Sequence, residues 1–265
     1  MAPSLPPPFR GRTALVVAHP GHELRVHGLV ARSRPLVFIL TDGSGRTGRS
    51  RLDSSRQLIA RAGARPGDIF GRFSDREFYE ALLSRDPAPF VEIAERMAHS
   101  FVHGRIVRVV GDALDGYNPG HDVCRLLIDA AVTRARVLGG VLIESFSFSL
   151  LGPPDRGAPH DPRALGLPLT PEEFTSKLEA ARACEGLDDE VDHALSENGA
   201  EAFRTEWLWT VTPFAELQRP AAETPPYERF GEERMKNGFY QEVIRYETHI
   251  RPLAAALFAM STAST

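Results

Sequence analysis

TALVVAHPGHEL occupies residues 13–24. TALVVA is a short apolar run, the pattern of a β-strand buried on both faces. HPGHE follows it directly, and ELRVHGLVARS (23–33) reads as a helix. The stretch is therefore a strand–turn–helix unit whose turn carries two histidines. In open α/β sheets the chemistry lies just beyond the carboxyl ends of the strands, which is where His19 and His22 stand.

The chain repeats this alternation outward from there. PLVFIL (35–40), RIVRVV (105–110) and GVLIESFSFSL (140–150) read as further buried strands. LDSSRQLIARAGA (52–64), PFVEIAERMAHSFVHG (89–104) and HDVCRLLIDAAVTRARVLG (121–139) carry apolar residues at helical spacing. Strands alternating with helices predict a Rossmann-like, mostly parallel sheet with helices on both faces. LGPPDRGAPHDPRALGLPL (151–169) marks a break, after which helices are expected near 170–186, near 188–204 and in the tail. The expected organisation is a flexible Pro-rich segment 1–12, an α/β core 13–150, and a helical C-terminal extension 151–265 packed on the same domain.

With 42% apolar and 25% charged residues, the 265-residue chain can bury a substantial core. Its net charge of −4 leaves no electrostatic footprint for nucleic acid or anionic membrane. Lysine is confined to Lys177 and Lys236, as expected from a GC-rich coding sequence. Cys124 and Cys184 make neither a disulfide framework nor a thiolate zinc motif and read as buried thiols in a reducing compartment. No apolar run has signal-peptide or membrane-spanning length, so a cytoplasmic location is expected.

His121 closes the loop GDALDGYNPG (111–120) after the strand at 105–110, so it joins His19 and His22 at one sheet edge. Neutral imidazoles are good ligands for zinc and other first-row metals. Three protein ligands with an open fourth position make a catalytic rather than a structural zinc site. Pro20 and Gly21 suit a tight turn that lets His19 and His22 converge. An H-x-x-H spacing alone is weak, because most of the nine histidines are ordinary surface or core residues; position after a buried strand singles these three out.

VVAHPGHEL resembles the first signature of the PIG-L/LmbE-like deacetylase family, A-H-P-D-D-E after the first strand. VVGDALDGYNPGHD resembles the second, H-P-D-H after a later strand. FYQEVIRYETHIRPLAAAL is similar to C-terminal segments of relatives in bacterial sugar and glycoconjugate pathways. The resemblance spans roughly residues 13–150. It implies hydrolysis of N-acetyl groups on amino sugars with zinc or a similar metal. His19 and His121 then match the family's first and last metal-binding histidines, and His22 stands where the family has a metal-binding Asp. Gly21 stands where the family has its general base. Asn118 replaces a His that stabilises the tetrahedral intermediate, and Gly120 replaces the Asp of the second motif. Glu23 is retained.

These departures bear on mechanism. An ion held by three neutral imidazoles keeps its full charge and acidifies bound water to a pKa of ~7, so a separate base is less necessary. Amide cleavage still needs an acid for the departing amine, and Asn118 can donate a hydrogen bond but not a proton. The chain therefore reads as a metal-dependent hydrolase removing an acyl, most simply acetyl, group from a sugar or glycoconjugate. The alternative is a degenerate, non-catalytic metal- or sugar-binding relative.

Asn118, Glu23, Asp42 and Asp115 are the candidate catalytic groups, with Asp112 also within reach of the edge. The three aspartates could equally close the turns they sit in. Arg46, Arg49 and Arg51 could hold a phosphate or sugar nucleotide, or simply be solvated. Tyr117 could cover the site, His249 could approach it from the tail, and Glu144 could support a ligand; His27, His99, His103, His160 and His193 have no such context. GSGRTG (43–48) lacks the G-K-[ST] ending of a P-loop, no G-x-G-x-x-G follows the first strand, and no G-x-S-x-G elbow occurs.

Overall fold

The computed structural model describes residues 11–45, 48–215 and 224–263. Arg46 and the first ten residues lie outside the described residues. Seven strands are described: β1 (Thr13–Val17), β2 (Leu36–Thr41), β3 (Arg65–Phe73), β4 (Arg108–Asp112), β5 (Glu144–Phe148), β6 (Ala164–Pro168) and β7 (Thr205–Thr210). They form one sheet in the order β3-β2-β1-β4-β5-β7-β6. β1 to β5 are mutually parallel, and β7 runs antiparallel to both β5 and β6.

The helices are α1 (His27–Ser33), α2 (Leu52–Arg61), α3 (Asp75–Ser84), α4 (Ala88–His103), α5 (Pro119–Gly139), α6 (Pro171–Arg182), α7 (Asp188–Asn198), α8 (Pro226–Lys236) and α9 (Arg251–Thr262). Strand side chains alternate between two covered faces. Ala14, Val16, Phe38 and Leu40 pack with Phe78 of α3, Phe90 and Phe101 of α4, Leu127 of α5 and Leu257 of α9. Leu15, Val17, Val37 and Ile39 pack with Leu29 of α1, Ile59 of α2, and Leu167 and Leu208 of β6 and β7. Every residue of β1 is buried, which is why the strand reads as apolar sequence after Thr13. Each such aliphatic side chain contributes about 1.5–3 kcal/mol on burial.

The Rossmann-like, mostly parallel α/β architecture is the one expected, with differences that matter for the site. β4 begins at Arg108, because Gly104 ends α4 and Arg105 adopts a left-handed backbone (φ 49°) that turns the chain back. The strand consequently runs through Asp112, which belongs to its carboxyl end and not to a loop. β5 likewise starts at Glu144, after the left-handed Gly140 that caps α5. β3 escapes sequence reading: a proline and two glycines interrupt RPGDIFGRF, and its pairing to β2 carries register shifts. The extension is helical but also adds β6 and β7 to the sheet. The helix expected over 188–204 stops at Asn198, since Gly199 (φ 73°, ψ 147°) cannot continue it. β7 was hidden by Glu206, a carboxylate at an inward-facing position of TEWLWT.

A buried polar network ties the extension to the start of α1. Glu206 accepts the backbone N–H groups of Gly28 and Leu29 at 2.8 Å each. Lys177 Nζ of α6 donates to Glu206 at 2.8 Å and to the carbonyl of Arg25 at 2.7 Å. The carboxylate thereby caps orphan donors at a helix N-terminus, the end where the helix dipole favours negative charge.

Candidate functional site

The carboxyl ends of β1, β2 and β4 deliver the site. His19 emerges one residue after Ala18, and Gly21 adopts a left-handed conformation (φ 102°) that starts the short 3-10 helix His22–Val26. Glu23 makes that turn: its side chain is fully buried, accepts the N–H of Gly21 at 2.8 Å and takes a short hydrogen bond from the Ser55 hydroxyl. Burial raises the Glu23 pKa, partly offset by the Ser55 bond. His121 lies in the first turn of α5, whose N-cap is Asn118.

The three rings come together edge to face. Centroids lie 5.3 Å apart for His19 and His22, 5.8 Å for His19 and His121, and 4.9 Å for His22 and His121. Each Nδ1 is engaged on the outside of the cluster. His19 Nδ1 lies 2.8 Å from Thr41 Oγ1 and 3.2 Å from Asp75 Oδ1. His22 Nδ1 lies 3.0 Å from Asp112 Oδ2, and His121 Nδ1 lies 2.9 Å from Asp115 Oδ2. A carboxylate on Nδ1 fixes the tautomer that leaves the Nε2 lone pair available, the usual support of a metal-ligating histidine.

The electrostatics follow from burial and these carboxylates. Burial lowers His22 to a pKa of about 4, against the upward pull of Asp112, so its imidazole is neutral at pH 7. Burial also acts downward on His121, but the Asp115 hydrogen bond and the charges of Asp112, Asp115 and Asp122 outweigh it and raise that pKa. Asp112 is fully buried; burial pushes its pKa up, yet His22, His121 and the N–H of Ala18 hold it below the usual carboxylate range. Asp75 is held well below that range too, burial being outweighed by His19.

The fit to a metal rests on chemistry and spacing. His19 Nε2 is buried and has no partner among the described residues. A β-carbon on Gly120 would stand 2.9 Å from that nitrogen, so glycine here keeps its approach clear. Three imidazoles bound to one tetrahedral ion through nitrogens about 2.0–2.1 Å from it place their ring centres roughly 5 Å apart, close to the spacings found. Among the described residues no three His, Cys, Asp or Glu donors already stand at holding geometry. A shared ion would need the rings to turn toward a common point.

The remaining candidates are placed as follows. Asn118 Oδ1 is committed to the N–H of Gly120 at 2.7 Å and to the Tyr79 hydroxyl at 3.0 Å. Asp42 accepts the N–H groups of Ser44 and Asp75, shaping the loop beneath His19. Asp115 also accepts the N–H of Tyr117. Arg51 donates to the carbonyl of Gly43, and Arg49 is exposed. Tyr117 is exposed and packs against Phe230. His249 lines a separate crevice with Leu82, Arg85 and Leu253. Glu144 begins β5, at the opposite end of the sheet from the triad, and pairs with Arg108. Cys124 and Cys184 are free and buried.

Sequence reading missed Asp75, Thr41, Tyr79 and Leu187. Asp75 carried a usable signal: S-D-R-E at 74–77 is a capping box, formed in both directions at Ser74 and Glu77, opening a helix at a strand's carboxyl end. Leu187 carried none; its side chain fills the space that a β-carbon on Gly21 would enter.

No family model matches the chain, and no curated protein does either. Solved structures do resemble it. A deacetylase triple mutant of the teicoplanin biosynthetic pathway superposes with a TM-score of 0.52 at 14% identity, over 76% of this chain and 98% of that one. The A40926 pseudoaglycone deacetylase gives a TM-score of 0.54 at 18% identity, over 78% and 99%. The conserved protein TT1542 from Thermus thermophilus gives a TM-score of 0.54 at 18% identity over the same shares. The fold is thus that of the deacetylases the sequence resembles. No described helix is long and apolar enough to cross a membrane.

Proposed function

We propose that this protein is a metal-dependent hydrolase that removes an acyl group, in the first place acetyl, from a sugar or glycoconjugate. His19, His22 and His121 are the metal ligands and zinc is the ion. The observation that carries this reading is the edge-to-face cluster of three imidazoles, each held at Nδ1, with His19 Nε2 buried and unpartnered among the described residues. The deacetylase neighbours support the choice of acyl group. The free, buried cysteines support work in a reducing cytosol.

When bound, the ion would supply Lewis-acid activation of the acyl carbonyl and of water. The chain's own residues do the positioning. Asp75 with Thr41, Asp112 and Asp115 hold the three rings. Glu23 holds the turn that carries His22, and Asp42 holds the loop beside Asp75. Asn118, its oxygen already committed, presents only its amide N–H groups to an oxyanion.

The test is elemental analysis of the purified protein together with turnover of matched N-acetyl and O-acetyl sugars. Zinc near one equivalent with turnover supports the reading; absence of metal in both wild type and zinc-reconstituted protein rejects it. A second reading, a non-catalytic binding protein, is favoured by Leu187 occupying the place of a side chain at position 21. Metal binding without turnover of any acylated sugar would select it.

A further inference from the structure

Among the described residues, Arg25 is a cation without a counter-ion. Its Nη1 is buried and has no hydrogen-bond partner there. Nη2 donates to a neutral group, the backbone carbonyl of Leu150, through a short bond. The guanidinium also lies over the Phe203 ring, 5.4 Å from its centroid. No described carboxylate pairs with it. Desolvation alone acts on its pKa, downward. The nearby buried ion pair of Lys177 and Glu206 is already balanced; burial pushes Lys177 down against the upward pull of Glu206, and the Arg25 charge adds a smaller downward push. Arg25, Lys177 and Glu206 together therefore carry one excess positive charge. Arg25 is only partly exposed, and a charge withdrawn from water without a partner is costly; an anion bound there would supply the missing partner.

The position of Arg25 says which ligand. It lies three residues after His22 on one 3-10 helix, His22–Val26. Residues three apart on a 3-10 helix eclipse, so both side chains leave the same face. Leu150, which receives the guanidinium, lies two residues beyond the carboxyl end of β5, at the sheet edge that bears the triad. Guanidinium groups match phosphate and carboxylate oxygens in bidentate geometry.

Building on the function proposed above, we infer that Arg25 binds an anionic oxygen group, phosphate or carboxylate, on the sugar whose acyl group the histidine site removes. The substrate is then an acidic acyl sugar, such as a sugar phosphate or a uronic acid derivative, in preference to a neutral one. Free anion of the same kind binds the same place.

The experiment has a binding arm and a turnover arm. Thermal unfolding of the zinc-loaded wild type is followed against inorganic phosphate and against acetate, at constant ionic strength. The same titrations are run on R25M and R25K. Turnover is compared for N-acetylglucosamine, its 6-phosphate and an N-acetylated uronic acid. The expected result is a saturable rise in Tm for wild type that R25M abolishes and R25K partly keeps. The charged substrate that matches the stabilising anion should lose about 10–100-fold in kcat/KM in R25M, mostly in KM, while the neutral sugar loses little. Phosphate acting alone identifies a phosphosugar, and acetate acting alone a carboxylate-bearing sugar. Anion stabilisation lost in R25M, with no turnover of any sugar, supports the anion site and rejects the hydrolase reading. Turnover indifferent to substrate charge, with equal Tm responses in wild type and R25M, overturns the Arg25 inference and leaves the hydrolase intact.

Discussion

Leu187 lies against Gly21 so closely that its Cδ1 occupies the volume of any side chain at position 21. The contact joins the N-cap of α7, in the extension, to the turn between His19 and His22. It also explains a glycine at a position where the resembling family has its base: the left-handed backbone there (φ 102°) disfavours a β-carbon, and the extension has taken the space.

Gly21→Asp therefore destabilises the protein and does not repair a catalytic base. Overpacking and left-handed strain together should cost about 2–4 kcal/mol in urea unfolding. In the double variant with Leu187→Ala, part of that loss should return, giving a favourable coupling of about 1 kcal/mol. Strict additivity of the two single losses would contradict the contact.

Metal affinity should depend on the outer carboxylates as well as the ligands. His22→Ala should remove most zinc binding, because a ligand is lost. Asp112→Asn should weaken zinc by about 10–100-fold, since the amide no longer favours the Nδ1–H tautomer of His22 as the carboxylate does. Competition titration with a chromogenic chelator reads both. An unchanged zinc stoichiometry in the His19→Ala/His22→Ala/His121→Ala variant would remove the site altogether.

If the protein hydrolyses acyl sugars, esters should be cleaved at least as fast as amides. Gly21 offers no base, and Asn118 offers no proton for a departing amine, whereas an alkoxide leaves with less protonation. The measurement is kcat/KM for matched O-acetyl and N-acetyl sugars. A clear preference for the amide would point to an acid elsewhere in the site.

Much of this site was legible in the sequence, and the physical reason lies in β1. From Ala14 to Ala18 every residue is apolar and buried, so the strand's end is sharply marked, and His19 and His22 follow at once. His121 was legible because α5 is long and periodic. Asp75 and Leu187 were not, because they reach the site through tertiary packing from elements with weak signals. β3 is interrupted by glycine and proline, and α7 buries no residue completely, so neither announces itself by periodicity. Glu206 misled for a related reason: a carboxylate is costly inside unless it caps something, and its partners at Gly28 and Leu29 are 178 and 177 residues away.

Breaking that carboxylate's network should be expensive. Glu206→Ala leaves Lys177 buried beside Arg25 without its counter-charge and uncaps α1, for an expected loss of about 3–5 kcal/mol by denaturant unfolding. Replacing Lys177 and Glu206 together by Met and Leu should cost less than the sum of the two single changes.

Stability should fall on the alkaline side through Cys184. Burial raises its thiol pKa from 9.0 to about 11. Between these values the unfolded chain has lost the proton and the folded chain retains it, so stability decreases as pH rises through that window. Cys184→Ala should shrink the alkaline loss by about 1–3 kcal/mol at pH 11 and leave the part that belongs to Cys124, whose thiol burial also pushes up, measured as the pH dependence of the urea midpoint.

The antiparallel placement of β7 has a consequence for how the chain can be cut. β7 occupies the outer flank of β5, pairing Phe146 with Thr210 and Ser147 with Trp209. A chain ending near residue 150 would present that flank as a bare edge strand, with unpaired amides and carbonyls beside Phe146 and Phe148. Such an edge is a template for further strands, so the α/β core in isolation should self-associate into aggregates instead of standing as a monomeric fragment.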